Sequence, residues 1–545
     1  MKILKPLINE FQLLLENSNI YEEIDLKISS IEGFDYQINN LVKHQKHKDL
    51  GKILSNVEKL ALDTEIVDSF EITEKNFFNF TVNLNNVQSY IENFKENIKT
   101  KDPKKIIIDY GGPNIGKPLH VGHLRSLNIG RSLYKTNQII GNSVTSDIHL
   151  GDWGMPVAQI IAYCEVENIN INSINVEKLI DIYPKSTELY KDDETFQMLA
   201  KDINKNLNEN KKESIKKWGE IRNVSVAELK ETLSILNHDF DLWLGESDVN
   251  NIIKPMIEKL TKEKKITLDD GALVSTQEKD PKILITKSDG SYLYLTTDLG
   301  TVLNRLENYP HDIVFYVVDN RQKLHFEQLF ESIEHFNFPK KKYEHVGFGT
   351  VNDEKGNPFK TREGGVKKLI DLYEDTYAYI EKINKDLNPE IIHELTNTVL
   401  TYSDLLTNRK TDYKFNLNKF TNISGKTGIY VQYAQVRAKR LLEKSKSADI
   451  NGEIIITNEE ERSLVVSLLN LEFYINQSTK FNEPHHLANY LYDISNLFNN
   501  FYQGENILST GKEEVKTSKL LITKYFLQNS NLVMSCLGIN PVNKM

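Results

Sequence analysis

Two histidines three residues apart, His120 and His123, stand at the start of a helical pattern with Gly122 between them. The stretch Pro113-Asn-Ile-Gly-Lys-Pro-Leu-His-Val-Gly-His123 follows the run Ile106-Ile107-Ile108 after a Gly111-Gly112 turn. A β-branched run, a Gly-Pro turn and then helical periodicity make a strand–turn–helix unit. A spacing of three sets both imidazoles on one helix face. They lie beside a helix N-terminus, whose free N–H groups and dipole favour anions. The chemistry such a start supports is holding the phosphates of a nucleotide.

Three other readings compete for the same residues. Gly111 and, after four intervening residues, Gly116-Lys117 fall one residue short of a P-loop, which needs Ser or Thr next. Pro118 stands there, so the hydroxyl for Mg²⁺ is missing and one phosphate-facing N–H is lost. A His-x-x-His pair could share a metal, but zinc sites usually take three or four protein ligands. No local Cys, Asp or Glu completes the set, so no structural metal is expected. Two helix-surface histidines without a ligand would be the default for an isolated pair.

The wider chain must position this turn. At 545 residues it exceeds what one core organises, and three or four domains are expected. Composition is that of a soluble globular protein, 39% hydrophobic and 26% charged. No apolar run reaches the roughly 18 residues of a membrane span, and the start, Met1-Lys-Ile-Leu-Lys-Pro, lacks the apolar core of a signal peptide. Cys164 and Cys536 are the only cysteines, which excludes a disulfide scaffold and a Cys-based zinc ribbon and fits a reducing cytoplasm. A net charge of −10 argues against indiscriminate nucleic-acid binding, while leaving room for a local basic groove.

Residues 1 to about 100 form a first block. It opens with an amphipathic helix pattern (Leu4, Ile8, Phe11, Leu15) and later alternates through Phe77–Asn83, a strand. Polar Lys99–Lys105 reads as a linker. From 104 the order is strand (Ile106–Tyr110), helix (Leu119–Ile140), strand (Ser143–Leu150), a βαβ unit that implies a parallel sheet with right-handed crossover. Gly151-Asp152-Trp153-Gly154 follows at a carboxyl strand end, where ligand crevices lie. Residues 160 to about 280 read as a charged, mostly helical insertion. Strand signals at Lys282–Thr286, Tyr292–Leu295 and Ile313–Val318 imply that the sheet then resumes, and from about 370 onward the periodicity is helical, as in a bundle.

With Leu124-Arg125-Ser126 added, the opening stretch resembles the first signature of the class I aminoacyl-tRNA synthetases, specifically of the arginyl-tRNA synthetases. Six further stretches follow in the family's order: His149–Gly154, Tyr292–Asp298, Val317–Gln322 with Leu324-His325-Phe326, Phe359–Gly365, Asn408–Tyr413, and Tyr430–Ala434 with Arg437. The resemblance covers most of the chain. It implies an α/β, Rossmann-type parallel-sheet catalytic domain over 104–370 carrying the insertion at about 160–280. An N-terminal α+β additional domain (1–100) that meets the tRNA D-loop would precede it, and a C-terminal all-α anticodon-binding bundle (371–545) would follow. The implied activity is activation of arginine with ATP, entering with Mg²⁺, to arginyl-adenylate and transfer to the 3′ end of tRNA(Arg). The resemblance also implies a cytoplasmic, monomeric enzyme without membrane contact. Rival readings keep the fold with another amino acid, cysteine or glutamine, or make the chain a tRNA-binding paralogue with weak or no activation.

Residue roles come with the resemblance. His120, His123, Lys117 and Lys360 are the implied catalytic set, and Asn114, Gly122 and Arg362 join His120, His123 and Lys360 around ATP. Phe359–Gly365 offers Lys360 and Arg362 without the second lysine of the usual Lys-Met-Ser-Lys-Ser loop; Lys117 matches the lysine thought to replace it. Read alone, Lys117 is a solvated turn lysine. An arginine guanidinium carries five donors and never deprotonates, so its pocket needs carboxylates and carbonyls. Asp298 should pair with it, Tyr294 should line the pocket, Asp109 and Asn114 should meet the α-amino end, and Gln322 should add a contact. Alone, Asp298 would be a helix cap, and Asp152 belongs to a tight turn with a packed indole. Asn79, Tyr502 and Met545 match tRNA-facing positions. Lys439, Arg440, Lys444 and Lys446 read equally well as phosphate contacts or as a solvated helix face.

Overall fold

Leu7, Phe11 and Leu15 recur every fourth residue along the helix Lys5–Glu16 and all three are buried. Proline near the first turn suits this helix, because its missing N–H is an orphan there anyway. The ring of Phe11 lies 5.9 Å from that of Phe78 on a neighbouring antiparallel sheet. That sheet holds β1 (Leu26–Ile28), β2 (Tyr36–Ile38), β3 (Val67–Ile72) and β4 (Phe78–Val82) in the order β1-β2-β4-β3. The structure is a computed structural model and describes residues 2–85, 87–279, 282–288, 290–359, 366–445, 450–504, 507–509 and 511–545.

The chain divides into two compact units, of which this sheet belongs to the first: Met1–Lys99, Ala434–Gln477 and Tyr490–Leu532. Within it the N-terminal sheet is tied to C-terminal helices by polar groups. Arg462 donates from both terminal nitrogens to Asp35 at 2.8 Å, a bidentate geometry that fixes orientation as well as distance. Tyr36 is fully buried and gives its hydroxyl proton to Asn470 at 2.8 Å.

The second unit comprises Thr100–Tyr433, Ser478–Asn489 and Val533–Met545. Its strands, in chain order, are β5 (Lys105–Tyr110), β6 (Ser143–Asp147), β7 (Ile266–Asp269), β8 (Ala272–Ser275), β9 (Leu284–Thr286), β10 (Ile313–Val317), β11 (Lys342–His345), β12 (Val351–Asn352) and β13 (Tyr413–Lys414). Four of them form an all-parallel sheet in the order β11-β10-β5-β6. Both faces are covered, so β5 reads as a continuous apolar run rather than an alternating one. The chain leaves β5 toward β6 on one side and returns as β10 on the other. That reversal opens a crevice at the carboxyl ends of β5 and β10.

The helix His123–Ile139 lies over this point and is buried on nearly all sides, polar residues included. Arg125 reaches Asp404 at 3.0 Å, both essentially unexposed, and donates to the carbonyls of Gly349 and Thr411 at 3.1 and 2.7 Å. Gly130 lets the helix touch β5, since a Cβ there would fall 2.1 Å from the ring of Tyr110.

Two expectations change. Leu284–Thr286 does not resume the parallel sheet; it forms a separate antiparallel sheet, β7-β8-β9, with two strands that the helical reading of the insertion had absorbed. The Tyr292–Leu295 strand reduces to one bridge between Thr286 and Tyr292, and a helix begins at Tyr294. Short apolar runs do not distinguish strand from helix start by periodicity. The insertion's helices, Met155–Val166, Val176–Asp192, Glu194–Asn208 and Lys212–Ile235, share a core of Ile160, Ile161, Leu179, Phe196 and Ile221. Among the described residues no helix is long and apolar enough to cross a membrane.

Candidate active site

The turn after β5 is built from glycines in the left-handed region. Gly111 and Gly112 have φ of 93° and 46°, and Gly116 follows at 76°, conformations that glycine adopts without a Cβ penalty. The turn is then pinned to the loop after β6. Gly151 N–H donates to Pro113 at 2.9 Å, and Ile115 N–H donates back to Gly151 at 3.1 Å. A Cβ on Gly151 would lie 2.1 Å from Asn114 Oδ1, so only glycine leaves room for that carboxamide.

His120 and His123 sit side by side, with ring centroids 3.9 Å apart. The backbone N–H of His120 donates to His123 Nδ1 at 3.0 Å, and that of Gly122 donates to His120 Nδ1 at 3.1 Å. A backbone N–H only donates, so His120 Nδ1 accepts and its neutral ring carries the proton on Nε2, whereas His123 Nδ1 also lies 3.2 Å from the His120 carbonyl and serves as donor or acceptor according to its tautomer. Burial, and secondarily the charge of Lys117, hold His120 below the usual imidazole range. Burial and then the neighbouring His120 push His123 down to about 3. The pair therefore offers two neutral imidazoles near pH 7, not two cations. Lys117 extends its ammonium over the ring of Tyr183, 4.1 Å from the centroid.

The segment Lys367–Leu369 runs antiparallel along the first signature: Val121 N–H donates to Lys367 at 3.1 Å and Leu369 N–H to Leu119 at 2.8 Å, with His120 opposite Lys368. The described residues that follow Phe359–Gly365 in the sequence are thereby joined to the histidine turn. Lys360 and Arg362 themselves lie outside the described residues.

The opposite wall is the helix Tyr294–Asn308. Tyr294, Asp298, Thr301 and Arg305 follow at spacings of four, three and four, which is one helical stripe. Tyr294 is 73% exposed at the helix start. Asp298 is bonded to His325 Nε2 at 2.5 Å, and Gln322, exposed, closes the short turn just ahead of the helix that carries His325. At the far end of the stripe, Arg305 bonds Asp109 at 2.6 Å and Asp147 at 2.5 Å. Asp109 thus has Oδ2 committed to Arg305, and burial raises its carboxyl above the usual range despite that partner. Asp109, Asp147 and His149 could together ligate a metal, but the Arg305 guanidinium already supplies the cation there.

One residue at the site had no counterpart in the motifs. Glu246 lies within the insertion and is held by its N–H, which donates to the Leu150 carbonyl at 3.0 Å. Burial, then the negative charges of Asp298 and Asp152, push its carboxyl up to about 8. Asp152 is fully buried and spends both oxygens on structure: Arg222 Nε at 2.6 Å, and Ser247 N–H and Oγ at 2.9 Å each. Those bonds fix the Gly245–Ser247 loop, so Asp152 positions Glu246. Nothing local in Leu244-Gly245-Glu246 marks that glutamate, because its role depends on a contact with a helix about fifty residues further along the chain.

The tRNA-facing candidates fall elsewhere. Asn79 is fully buried in β4 and accepts from Gln37 at 2.7 Å, so a base would reach it only past Gln37. Tyr502, 36% exposed, has the Arg437 guanidinium 5.5 Å over its ring. Met545 is half-buried in the second unit.

A parallel-sheet crevice, two neutral imidazoles at a helix start and an acidic wall accord with a class I tRNA synthetase catalytic domain. The family model for the class I (R) tRNA synthetase catalytic domain matches residues 85–417, and that for the DALR anticodon binding domain matches 431–545. The chain belongs to the arginine–tRNA ligase family. It is 33% identical to the arginine–tRNA ligase of Alkaliphilus oremlandii over 521 residues, 89% of each chain. With that of Francisella tularensis subsp. novicida it shares 32% over 537 residues, 93% of this chain and 92% of the relative. The arginyl-tRNA synthetase of Plasmodium falciparum has the same fold, with a TM-score of 0.82 at 24% identity over 100% of this chain and 99% of that one. The Thermus thermophilus enzyme matches with a TM-score of 0.80 at 19% identity, over 99% and 100%.

Proposed function

We propose that this chain charges tRNA(Arg) with arginine in two steps. Arginine and ATP, entering with Mg²⁺, give arginyl-adenylate and pyrophosphate; the arginyl group then passes to the 2′-hydroxyl of the terminal adenosine. The observation that carries this reading is the pairing of an acidic wall, Asp298 with Glu246, and a turn presenting two neutral imidazoles across one crevice.

The first step is in-line attack of a carboxylate on the α-phosphate. Charge grows on the phosphate oxygens, so the catalyst needs placed donors and cations rather than a covalent nucleophile. His120 and His123 supply donors that need no protonation, while Gly122 and Asn114 shape the turn around the nucleotide. Positive charge then has to come from Lys117, Lys360 and Arg362. For the substrate side chain, Asp298 and Glu246 face the guanidinium and Tyr294 lines its entrance, with Gln322 beside them. Asn114 serves the α-amino end, together with Asp109 through the oxygen not given to Arg305. Asn79, Tyr502 and Met545 remain the proposed tRNA contacts, in a monomeric, cytoplasmic enzyme whose two free cysteines suit a reducing compartment.

Pyrophosphate exchange with each amino acid, with and without bulk tRNA, tests the proposal. Arginine alone among the amino acids should support exchange. Exchange with another amino acid but not arginine would refute the substrate, and no exchange even with cognate tRNA would indicate a tRNA-binding paralogue.

A further inference from the structure

We propose that the helical insertion holds Lys117 in its working place, with Tyr183 as the positioning residue that carries the ammonium and Ser225 as the one that fixes the turn. The inference rests on the phosphate role proposed above for Lys117.

Three contacts converge on two adjacent residues. Lys117 Nζ stands 4.1 Å over the centroid of the Tyr183 ring, on the helix Val176–Asp192. The negative face of that ring attracts an ammonium without giving it a counter-charge. Gly116 N–H donates to Ser225 Oγ at 3.0 Å, and Ser225 in turn donates to the Ile221 carbonyl at 2.8 Å within the helix Lys212–Ile235. A Cβ on Gly116 would lie 3.5 Å from Tyr183 Cδ2 and 2.8 Å from Ile160, so glycine at this left-handed position lets the insertion close on the turn.

The helix that presents Tyr183 has a reason to be shaped there. Pro184 follows it inside the helix, where proline removes a donor and kinks the chain. The carbonyl that loses its partner is that of Ile180, one turn back, and the carbonyl of Tyr183 accepts from the hydroxyls of Ser186 and Thr187, at 2.9 and 3.0 Å. A lysine has a flexible four-carbon stem and, in a turn, would otherwise spread over many rotamers. Held on an uncharged ring, its full charge stays available to a phosphate. A carboxylate in place of Tyr183 would neutralise it. Lys117 also depresses the protonation of both His120 and His123, as a cation directed toward them must.

The test is pyrophosphate exchange with cognate tRNA for wild type, Tyr183→Phe, Tyr183→Leu, Ser225→Ala, Lys117→Ala, and each of the last Tyr183 and Ser225 variants combined with Lys117→Ala. Tyr183→Leu should lower kcat about tenfold, the order of a partly desolvated cation–π contact, with the KM for arginine unchanged. Tyr183→Phe keeps the ring and should retain wild-type rates. On the Lys117→Ala background, Tyr183→Leu and Ser225→Ala should add nothing. Ser225→Ala leaves the insertion core intact and reports independently should Tyr183→Leu fold poorly. Wild-type rates in Tyr183→Leu and Ser225→Ala, or losses that simply add to that of Lys117→Ala, overturn the inference while leaving Lys117 on the phosphate. A silent Lys117→Ala would instead remove the phosphate role itself, and the positioning role with it.

Discussion

His325 Nε2 and Asp298 are joined at 2.5 Å across two helices, Tyr294–Asn308 and Lys323–His335. The imidazole orients the carboxylate, and the helix start places Tyr294 one turn away from it. Asp298→Asn keeps the shape but cannot neutralise a guanidinium. Losing one partner of a desolvated charge pair costs about 3–5 kcal/mol. The KM for arginine should therefore rise at least a hundredfold, while the KM for ATP changes by less than about threefold. Equal shifts in the two constants, measured by pyrophosphate exchange, would make Asp298 a structural residue.

Glu246 gives the proposed arginine pocket a pH dependence. Its carboxyl, raised to about 8 by burial and by Asp298 and Asp152, is protonated at neutral pH. A guanidinium favours the carboxylate, so binding arginine expels that proton. Arginine affinity should rise as pH climbs from 6 toward 8, by up to about tenfold per unit, and level off above 8. The same raised pKa makes protonated Glu246 contribute to fold stability at low pH, a contribution lost as pH rises through 8. Glu246→Gln should bind arginine more weakly and with little slope over that range. A slope in the variant as steep as in wild type would assign the titration to another group.

Lys117→Ala removes a cation from a site whose two histidines are neutral. Loss of one transition-state electrostatic contact costs on the order of 3 kcal/mol, so the activation rate should drop about a hundredfold with little change in arginine binding. An unchanged rate in single-turnover adenylate formation would return Lys117 to a solvated turn.

The glycine–histidine turn was legible in the sequence because its determinants are local. A strand, three permissive glycines and a histidine spacing all fall within some twenty residues, and each reports on backbone geometry directly. The proposed arginine pocket was only half legible. Tyr294 and Asp298 share a helix turn, whereas Glu246 joins them by a long-range contact that Asp152 secures through Ser247. Asp152 itself was ambiguous from sequence, since a buried carboxylate and an exposed one look alike until Arg222 is seen against it. Asn79 shows what alternation leaves open. The pattern through Phe77–Asn83 marked a strand, but not that β4 is an inner strand with every residue buried.

Arg305 explains how the pocket helix stays docked on the sheet. Its guanidinium is 1% exposed and bridges Asp109 on β5 to Asp147 on β6, while stacking 5.6 Å over Tyr316 on β10. Arg305→Met retains most of the volume but leaves two buried carboxylates without a cation. Such an uncompensated site costs about 3–5 kcal/mol, so the variant should unfold at clearly lower denaturant with an unchanged m value. Because the cost lies in the stranded charges, Arg305→Met combined with Asp109→Asn and Asp147→Asn should recover much of the lost stability. Arginine binding should not recover with it, since Asp109→Asn also removes the carboxylate proposed for the α-amino end and the stripe that begins at Tyr294 would no longer be tied to the strand ends. Recovery of both together would mean that Arg305 serves the core alone. No loss in the single variant would mean that solvent, not Arg305, balances the two aspartates.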